Sequence, residues 1–245
     1  MIANPYELRR CVDEYLLFHY GTASDLCPFG FIPREVLRFH RRVLEECLLP
    51  VRFPVPTRGL DLGCAVGRFT FELGRVVDQV LGIDRSKPFI HMARRMAQTH
   101  ALTVRVKETG TQFRPITLNV PNALQRSHVE FRVGDALNLS ALPDGSFHVV
   151  AALNLICRLP RPREFLCQLH RLVAPHGQLV LASPFTWLEE YTPRQEWLAP
   201  PEVQRLLGPH FRLSRHRNLP FLIREHRRKF QLVVSEVSVF RRRVD

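Results

Sequence analysis

The stretch Gly59-Leu60-Asp61-Leu62-Gly63-Cys64-Ala65-Val66-Gly67-Arg68 decides the fold. A short apolar run carries an aspartate near its end, and two glycines four positions apart lead into a helix-like segment over 69–76. This order predicts a strand, a tight turn and a helix. The glycines allow the backbone to turn sharply and a ligand to lie against it. Because the spacing is not G-x-G-x-x-G, it does not predict a pyrophosphate at the helix N-terminus.

Three later apolar runs end in the same way as this first strand. Residues 79–84 end at Asp84, 129–133 precede Asp135, and 147–152 precede Asn154. Open α/β sheets bind ligands outside the carboxyl ends of their parallel strands. We therefore predict a ligand site built from Asp61, Asp84, Asp135 and Asn154.

The rest of the chain predicts helices before this sheet and a hairpin after it. Helices from a cap at Asn4 to Gly21 and over 33–48 form an N-terminal helical cap, residues 1–50, ahead of a main domain at 51–245. Segment 103–128 reads as an insertion with short strands at 103–107 and 113–118, and a helix is predicted over 162–172. His176-Gly177 predicts a turn before a strand over 178–183, and 211–223 and 229–240 predict an antiparallel hairpin. The predicted class is α/β: a seven-stranded Rossmann-like sheet with helices on both faces.

Composition limits the functions to consider. The chain has 245 residues, 45% of them hydrophobic, with no apolar run of membrane-spanning length and no visible secretory signal. The six cysteines have no metal-binding spacing, so we expect free thiols, no metal and a cytoplasmic location. The net charge of +12 comes largely from dispersed arginine. The clusters 224–229 and 241–243 are not interleaved with aromatic residues, so a nucleic-acid partner is not favoured.

The pattern D-x-G-x-x-x-G at Asp61–Gly67 resembles the glycine loop of class I S-adenosylmethionine methyltransferases. The resemblance implies that Asp61 lies near the cofactor ammonium, Asp84 at the ribose hydroxyls and Asp135 at the adenine amine. The predicted cofactor-binding residues are Asp61, Gly63, Gly67, Arg68, Asp84, Ser86, Asp135, Ala136 and Asn154.

Four further stretches resemble one particular group of methyltransferases. Tyr15–Gly21, Asn154–Leu159, Ser183–Pro193 and Pro220–Gln231 resemble the C-terminal methyltransferase domain of ovothiol biosynthesis enzymes, which methylates an imidazole nitrogen of 5-thiohistidine. The likeness runs from about Tyr6 to Arg242. The chain has no room for that family's iron-dependent module, which attaches sulfur to histidine. Free histidine or carnosine is therefore as good an expected acceptor as 5-thiohistidine.

The acceptor side of the site is predicted from this resemblance and from residue type. Arg158 and Arg224 suit a substrate carboxylate, and Glu189 or Glu190 suits an α-ammonium group. Groups among Tyr15, His19, Tyr20 and Asn154 would orient the ring. The predicted catalytic residues are Tyr20, His19 and Asn154, and the predicted substrate-binding residues are Tyr15, His19, Tyr20, Arg158, Trp187, Glu189, Glu190, Tyr191 and Arg224. Two alternatives stay open: a protein or RNA methyltransferase of the same fold, and a silent scaffold.

Overall fold

The computed structural model describes residues 5–50, 53, 55–125 and 128–244. Its strands are β1 (Arg58–Leu62), β2 (Gln79–Asp84), β3 (Ala101–Thr109), β4 (Gln112–Asn119), β5 (Val129–Val133), β6 (Phe147–Leu153), β7 (Val173–Ser183), β8 (Phe211–His226) and β9 (Lys229–Arg242). Seven of them form one sheet in the order β5-β2-β1-β6-β7-β9-β8. The first five are parallel to each other, and β9 runs antiparallel to both β7 and β8. The predicted seven-stranded sheet with a C-terminal antiparallel hairpin is confirmed.

Helices cover both faces of this sheet. They are α1 (Arg9–Tyr20), α2 (Ala23–Leu26), α3 (Phe39–Arg42), α4 (Arg68–Leu73), α5 (Lys87–Thr99), α6 (Pro162–Leu172) and α7 (Pro200–Leu207). On one face α6 and α7 pack on Leu60, Val150 and Leu181, and on the other α3 and α4 pack on Val149 and Val180. Neighbouring residues of one strand thus belong to opposite cores, as expected for a parallel sheet buried on both sides. Each fully buried aliphatic side chain contributes about 2 kcal/mol.

The N-terminal cap differs from the predicted pair of helices. The helix predicted over 33–48 is broken into a 3₁₀ turn at Arg34–Val36, the short α3 and a π-helical turn at Val43–Cys47. The break occurs because Arg38 adopts a left-handed conformation, with φ of 57°. The first helix ends before Gly21 as predicted, but it begins at Arg9 after a 3₁₀ turn at Pro5–Glu7. The predicted cap at Asn4 lies outside the described residues.

The predicted turn at His176-Gly177 does not interrupt the sheet. Strand β7 runs through it from Val173, and His176 takes a left-handed φ of 60° inside the strand. The pairing between β6 and β7 shifts register at this place, between Phe147 and Val149 of β6. A local irregularity of this kind lets a strand absorb a turn-like sequence without ending.

The segment predicted as an insertion is a β-ribbon. Strands β3 and β4 pair antiparallel around Gly110, which has a φ of 48°. Leu102 and Val104 of β3 share a buried cluster with Val12 and Leu16 of α1. The ribbon therefore buries one side of α1.

A second ribbon covers α1 from another direction. The ladder between β7 and β9 ends at Ser183 and Glu236, whereas β8 and β9 stay paired to the end of β8. This extension passes beyond the carboxyl edge of the sheet. Its Phe221 packs against Phe18 of α1, with ring centroids 5.2 Å apart. The buried Arg224 joins the two ribbons through an ion pair with Glu108, 2.6 Å long. The ribbons thus fix α1 beside the glycine loop.

Candidate cofactor and acceptor site

The glycine loop follows β1 and is held against β2. The N–H groups of Gly63 and Cys64 donate to the carbonyl of Ile83, at 2.8 and 3.1 Å. Gly63 has a φ of 72°, and a Cβ at this position would lie 2.9 Å from a methyl group of Leu155. Gly67 has a φ of 89°, and a Cβ there would lie 2.6 Å from the ring of Phe131. Glycine is required at both positions because any side chain would be strained and would also clash.

Asp61 is a carboxyl group buried beside this loop. It is 1% exposed and accepts a hydrogen bond from the Thr70 hydroxyl at 2.7 Å. Burial, with a smaller contribution from the nearby Asp84 carboxylate, raises the pKa of Asp61 to about 7. A ligand cation placed against Asp61 would favour its charged form.

Asp84 and Asp135 end the neighbouring strands at the same edge. The two oxygens of Asp84 accept the N–H groups of Ala65 and Ser86, at 2.9 and 2.8 Å, and burial raises its pKa. Asp135 is exposed and accepts the N–H of Leu137 at 2.9 Å. Carboxylates thus lie at the ends of β1, β2 and β5, and each can accept further hydrogen bonds.

This donor set fits an adenosyl cofactor with a positive charge. The two glycines leave room for a ligand against the loop backbone, Asp61 suits an ammonium group, and Asp84 suits a pair of hydroxyls. Ser86 caps α5 by accepting the N–H of Phe89, and its hydroxyl donates to the carbonyl of Tyr6 at 2.9 Å. Ala136 is buried, and its carbonyl accepts a hydrogen bond from Gln168 at 3.3 Å.

The end of α1 is hydrogen-bonded to the loop. The Tyr20 hydroxyl donates to the carbonyl of Val66 at 2.8 Å, and the N–H of Arg68 donates to Nδ1 of His19 at 3.3 Å. The Arg68 guanidinium donates to the His19 carbonyl at 3.0 Å and pairs with Glu72 at 2.7 Å. Arg68, predicted to bind the cofactor, is therefore bonded to α1 and α4.

His19 is neutral near pH 7. Burial lowers its pKa to about 3, and the positive charge of Arg68 acts in the same direction. Because Nδ1 accepts the N–H of Arg68, the ring proton resides on Nε2. The His40 ring lies 4.1 Å away, centroid to centroid, and burial also lowers the pKa of His40. This pair packs α1 against α3.

An aromatic cluster lies next to the strand-end acids. Tyr15 packs on Phe89 with ring centroids 5.0 Å apart, and Tyr6 lies 6.0 Å from both Tyr15 and Tyr191. We call these four residues with Arg158 the aromatic cluster. The bond from Ser86 to Tyr6 places the cluster immediately beside Asp84.

Arg158 is the cation of this cluster. It is half-buried, with Nε donating to the Tyr6 hydroxyl at 2.9 Å and Nη1 to the carbonyl of Thr186 at 2.8 Å. Its guanidinium also lies 5.1 Å from the centroid of the Tyr191 ring. Within 5–50, 53, 55–125 and 128–244, no aspartate or glutamate forms an ion pair with Arg158. A half-buried guanidinium in this setting is suited to an anionic ligand.

The other predicted acceptor residues have separate surroundings. The Trp187 indole donates to the carbonyl of Leu198 at 3.1 Å, which fixes its loop beside α7. Glu189 is exposed and paired with Arg194, and Glu190 is exposed beside Tyr191. Arg224 is not part of the aromatic cluster, because its guanidinium donates to Glu108 and to the carbonyl of Asp25.

Asn154 follows β6 with a left-handed φ of 56°. Its N–H donates to the carbonyl of Ala182 at 2.8 Å, and its Oδ1 accepts a hydrogen bond from Ser235 at 2.6 Å. Sequence reasoning missed Ser235, Tyr6 and Phe89. Local sequence does not indicate Ser235, because this residue lies 81 positions from its partner. Tyr6 and Phe89 are recognisable only as aromatic residues, and an aromatic residue alone does not indicate a site.

The sheet order and the carboxyl-edge acids match the class I methyltransferase fold. Residues 60–181 match a family model described as "Methyltransferase domain". Among solved structures, a methyltransferase of Methanosarcina mazei superposes with a TM-score of 0.54 at 20% identity, covering 80% of this chain and all of that one. One from Aquifex aeolicus gives 0.53 at 18% identity, covering 84% and 91%. The chain therefore has the class I methyltransferase fold, and its residues 60–181 are similar to methyltransferase domains.

Curated relatives match a shorter part of the chain than these solved structures do. A ubiquinone biosynthesis O-methyltransferase of Xanthomonas axonopodis pv. citri is 27% identical over 130 residues, 53% of this chain and 44% of that protein. A protein of Oryza sativa subsp. japonica named "Probable tocopherol O-methyltransferase, chloroplastic" is 31% identical over 103 residues, 40% of this chain and 27% of that protein. The chain thus spans less than half of either relative. In its described part, no helix has the length and apolar character needed to cross a membrane.

Proposed function

We propose that this protein transfers a methyl group from S-adenosylmethionine to an imidazole nitrogen of a small histidine derivative: histidine, carnosine or 5-thiohistidine. The observation that carries the proposal is Arg158. Its guanidinium is half-buried, lies against Tyr6 and Tyr191, and has no carboxylate partner in the described part of the chain. This arrangement suits a planar ring that bears a carboxylate.

The reaction requires the protein mainly to position the methyl donor and the acceptor. The bound cofactor supplies an activated methyl group, and Asp61, Asp84 and Asp135 would hold it. Imidazole has an ordinary pKa near 6.5, so at neutral pH most of it is uncharged and offers a lone pair. Orienting such a nucleophile can supply several kcal/mol of the barrier reduction. Arg158 would hold the carboxylate of the acceptor, and the ring would pack within the aromatic cluster.

Among the groups predicted to orient the ring, we assign Asn154 to the acceptor. The Tyr20 hydroxyl and Nδ1 of His19 are bonded to the glycine loop and its helix. We assign these two residues the role of holding α1 over the loop. The amide of Asn154 lies at the end of β6, next to β1. One end of that amide has no hydrogen-bond partner among the described residues, and it is not buried.

A second candidate is O-methylation of a phenolic ring. Both curated relatives are named as O-methyltransferases, and an aromatic cluster also suits a phenol. A hydroxyl must lose its proton to react, whereas imidazole already offers a lone pair. The deciding difference is thus the acceptor atom. Protein and RNA acceptors, suggested by the net charge of +12, and a silent scaffold are the remaining alternatives.

The test is transfer of isotopically labelled methyl from S-adenosylmethionine to a panel of acceptors. The panel contains histidine, carnosine, 5-thiohistidine, histamine, a catechol, a protein extract and total RNA. We expect label in the imidazole compounds, with histamine poorer than histidine because it has no carboxylate. Label confined to catechol, protein or RNA would overturn the proposal.

A matched pair of variants tests the role of Arg158. Arg158→Met should raise the KM for histidine at least about 10-fold, the effect of losing roughly 1.4 kcal/mol. It should leave histamine turnover nearly unchanged. Arg161→Met is the control, since Arg161 is exposed and pairs with Glu164. An equal loss with both acceptors would show that Arg158 does not bind the carboxylate.

A further inference from the structure

Two ladders between adjacent strands end side by side near the proposed acceptor site. The β6–β7 ladder ends at Leu153 and Ala182, and the β7–β9 ladder ends at Ser183 and Glu236. Asn154 is the first residue beyond the first of these ladders, and Ser235 is the first residue of β9 beyond the second. The two side chains meet past the end of β7.

The contact between them is short and sheltered. Ser235 has no exposed surface, and its hydroxyl lies 2.6 Å from Oδ1 of Asn154. This separation is typical of O–H···O hydrogen bonds and shorter than that of most N–H···O bonds. The Asn154 oxygen therefore faces Ser235. Its NH₂ end has no partner among the described residues and is left as a donor.

The backbone holds Asn154 in place from the other side. Its left-handed φ of 56° is maintained by the bond from its N–H to Ala182. The next residue, Leu155, packs against the Cα of Gly63 in the glycine loop. Backbone and loop thus fix where Asn154 stands, whereas rotation of its amide is restrained by Ser235.

We propose that Ser235 is a positioning residue: its hydroxyl fixes the amide of Asn154 so that the NH₂ group donates a hydrogen bond to the carboxylate of the methyl acceptor and leaves the lone pair of the ring nitrogen free to react. The inference rests on the proposed function, because it assigns Asn154 to the acceptor and not to the cofactor. Without the Ser235 hydroxyl the amide of Asn154 can turn over, and its oxygen loses its donor.

The test compares Ser235→Cys with wild type. Cysteine preserves the shape of the side chain but is a weak donor. We expect kcat/KM for the acceptor to fall about 10-fold, with the KM for S-adenosylmethionine within 2-fold of wild type. Ser235→Thr, which retains the hydroxyl, should recover most of the loss. The control is Ser238→Ala, since Ser238 is also buried on β9 but bonds to Glu236 at 3.4 Å.

Calorimetry separates this inference from the proposed function. Binding of histidine to the protein saturated with S-adenosylhomocysteine needs no turnover, and we expect it to weaken about 10-fold in Ser235→Cys. Unchanged histidine binding and kinetics would refute the role of Ser235. An equal loss in Ser238→Ala, or weaker S-adenosylhomocysteine binding in Ser235→Cys, would also refute it. A wild-type protein that binds and methylates no imidazole compound would instead refute the proposed function.

Discussion

Replacing Asp61 by asparagine should stabilise the protein without its cofactor. Asp61 is 1% exposed, and burial raises its pKa from 3.8 to about 7. A carboxyl group whose pKa is higher in the folded than in the unfolded state stabilises the fold at low pH and loses that contribution as pH rises through 7. A difference of one pKa unit corresponds to 1.36 kcal/mol, so at pH 8 the raised pKa of Asp61 lowers the free energy of unfolding by about 4 kcal/mol. Asparagine avoids this cost and can still accept the bond from Thr70.

The assay is urea unfolding followed by the fluorescence of Trp187 and Trp197 at several pH values. The free energy of unfolding of Asp61→Asn should exceed that of wild type by up to about 4 kcal/mol at pH 8, and this difference should shrink to about 2 kcal/mol at pH 5.5. Asp135→Asn, at an exposed strand-end acid, is the control and should change stability by less than about 0.5 kcal/mol.

Adding S-adenosylhomocysteine should narrow the stability difference between the two proteins. The ligand keeps the ammonium group that Asp61 is proposed to face, so a 100-fold excess over its Kd stabilises wild type by about 2.7 kcal/mol. The variant should gain much less stability from the ligand. A variant that is less stable than wild type at pH 8, or a difference that does not change with pH, would refute this reasoning. Equal ligand stabilisation of both proteins would remove Asp61 from the cofactor site.

Two further predictions concern the loop and the ribbons. Gly63→Ala should destabilise by about 2–4 kcal/mol and weaken S-adenosylhomocysteine binding, because it adds left-handed strain and a clash. Gly110→Ala, also left-handed but in open space, should cost only about 1 kcal/mol, and equal costs in thermal unfolding would contradict the clash. Glu108→Gln should cost about 3 kcal/mol because it leaves the buried Arg224 without a charged partner. Glu130→Gln, in an exposed pair, should cost less than about 1 kcal/mol; equal costs would contradict the buried-pair argument.

The sheet and its ligand edge could be predicted because local pattern determines them. Each apolar run that ends at an acid or an amide marks a parallel strand and its carboxyl end, and Asp61, Asp84, Asp135 and Asn154 all lie there. The tight turn through Gly63 and Gly67 could be predicted for the same reason, because glycine readily adopts the left-handed backbone conformation that this turn needs.

The surroundings of the site depend on contacts between distant segments. Arg158 meets Tyr6 across 152 positions, and Arg224 meets Glu108 across 116. Sequence periodicity does not indicate such pairs, so the grouping of Arg224 with Arg158 rests on the family resemblance and on residue type. The break at Arg38 was also hidden, because the apolar spacing of 33–48 continues through it and tertiary packing decides the conformation.

The most direct measurement is the NMR spectrum of the product formed from S-adenosylmethionine with a ¹³C-labelled methyl group and histidine. Our account predicts a labelled methyl carbon bonded to a ring nitrogen of histidine, with no product in the absence of protein. A methyl group on oxygen, sulfur or the α-amino nitrogen would contradict it, as would turnover of a phenol with none of any imidazole compound.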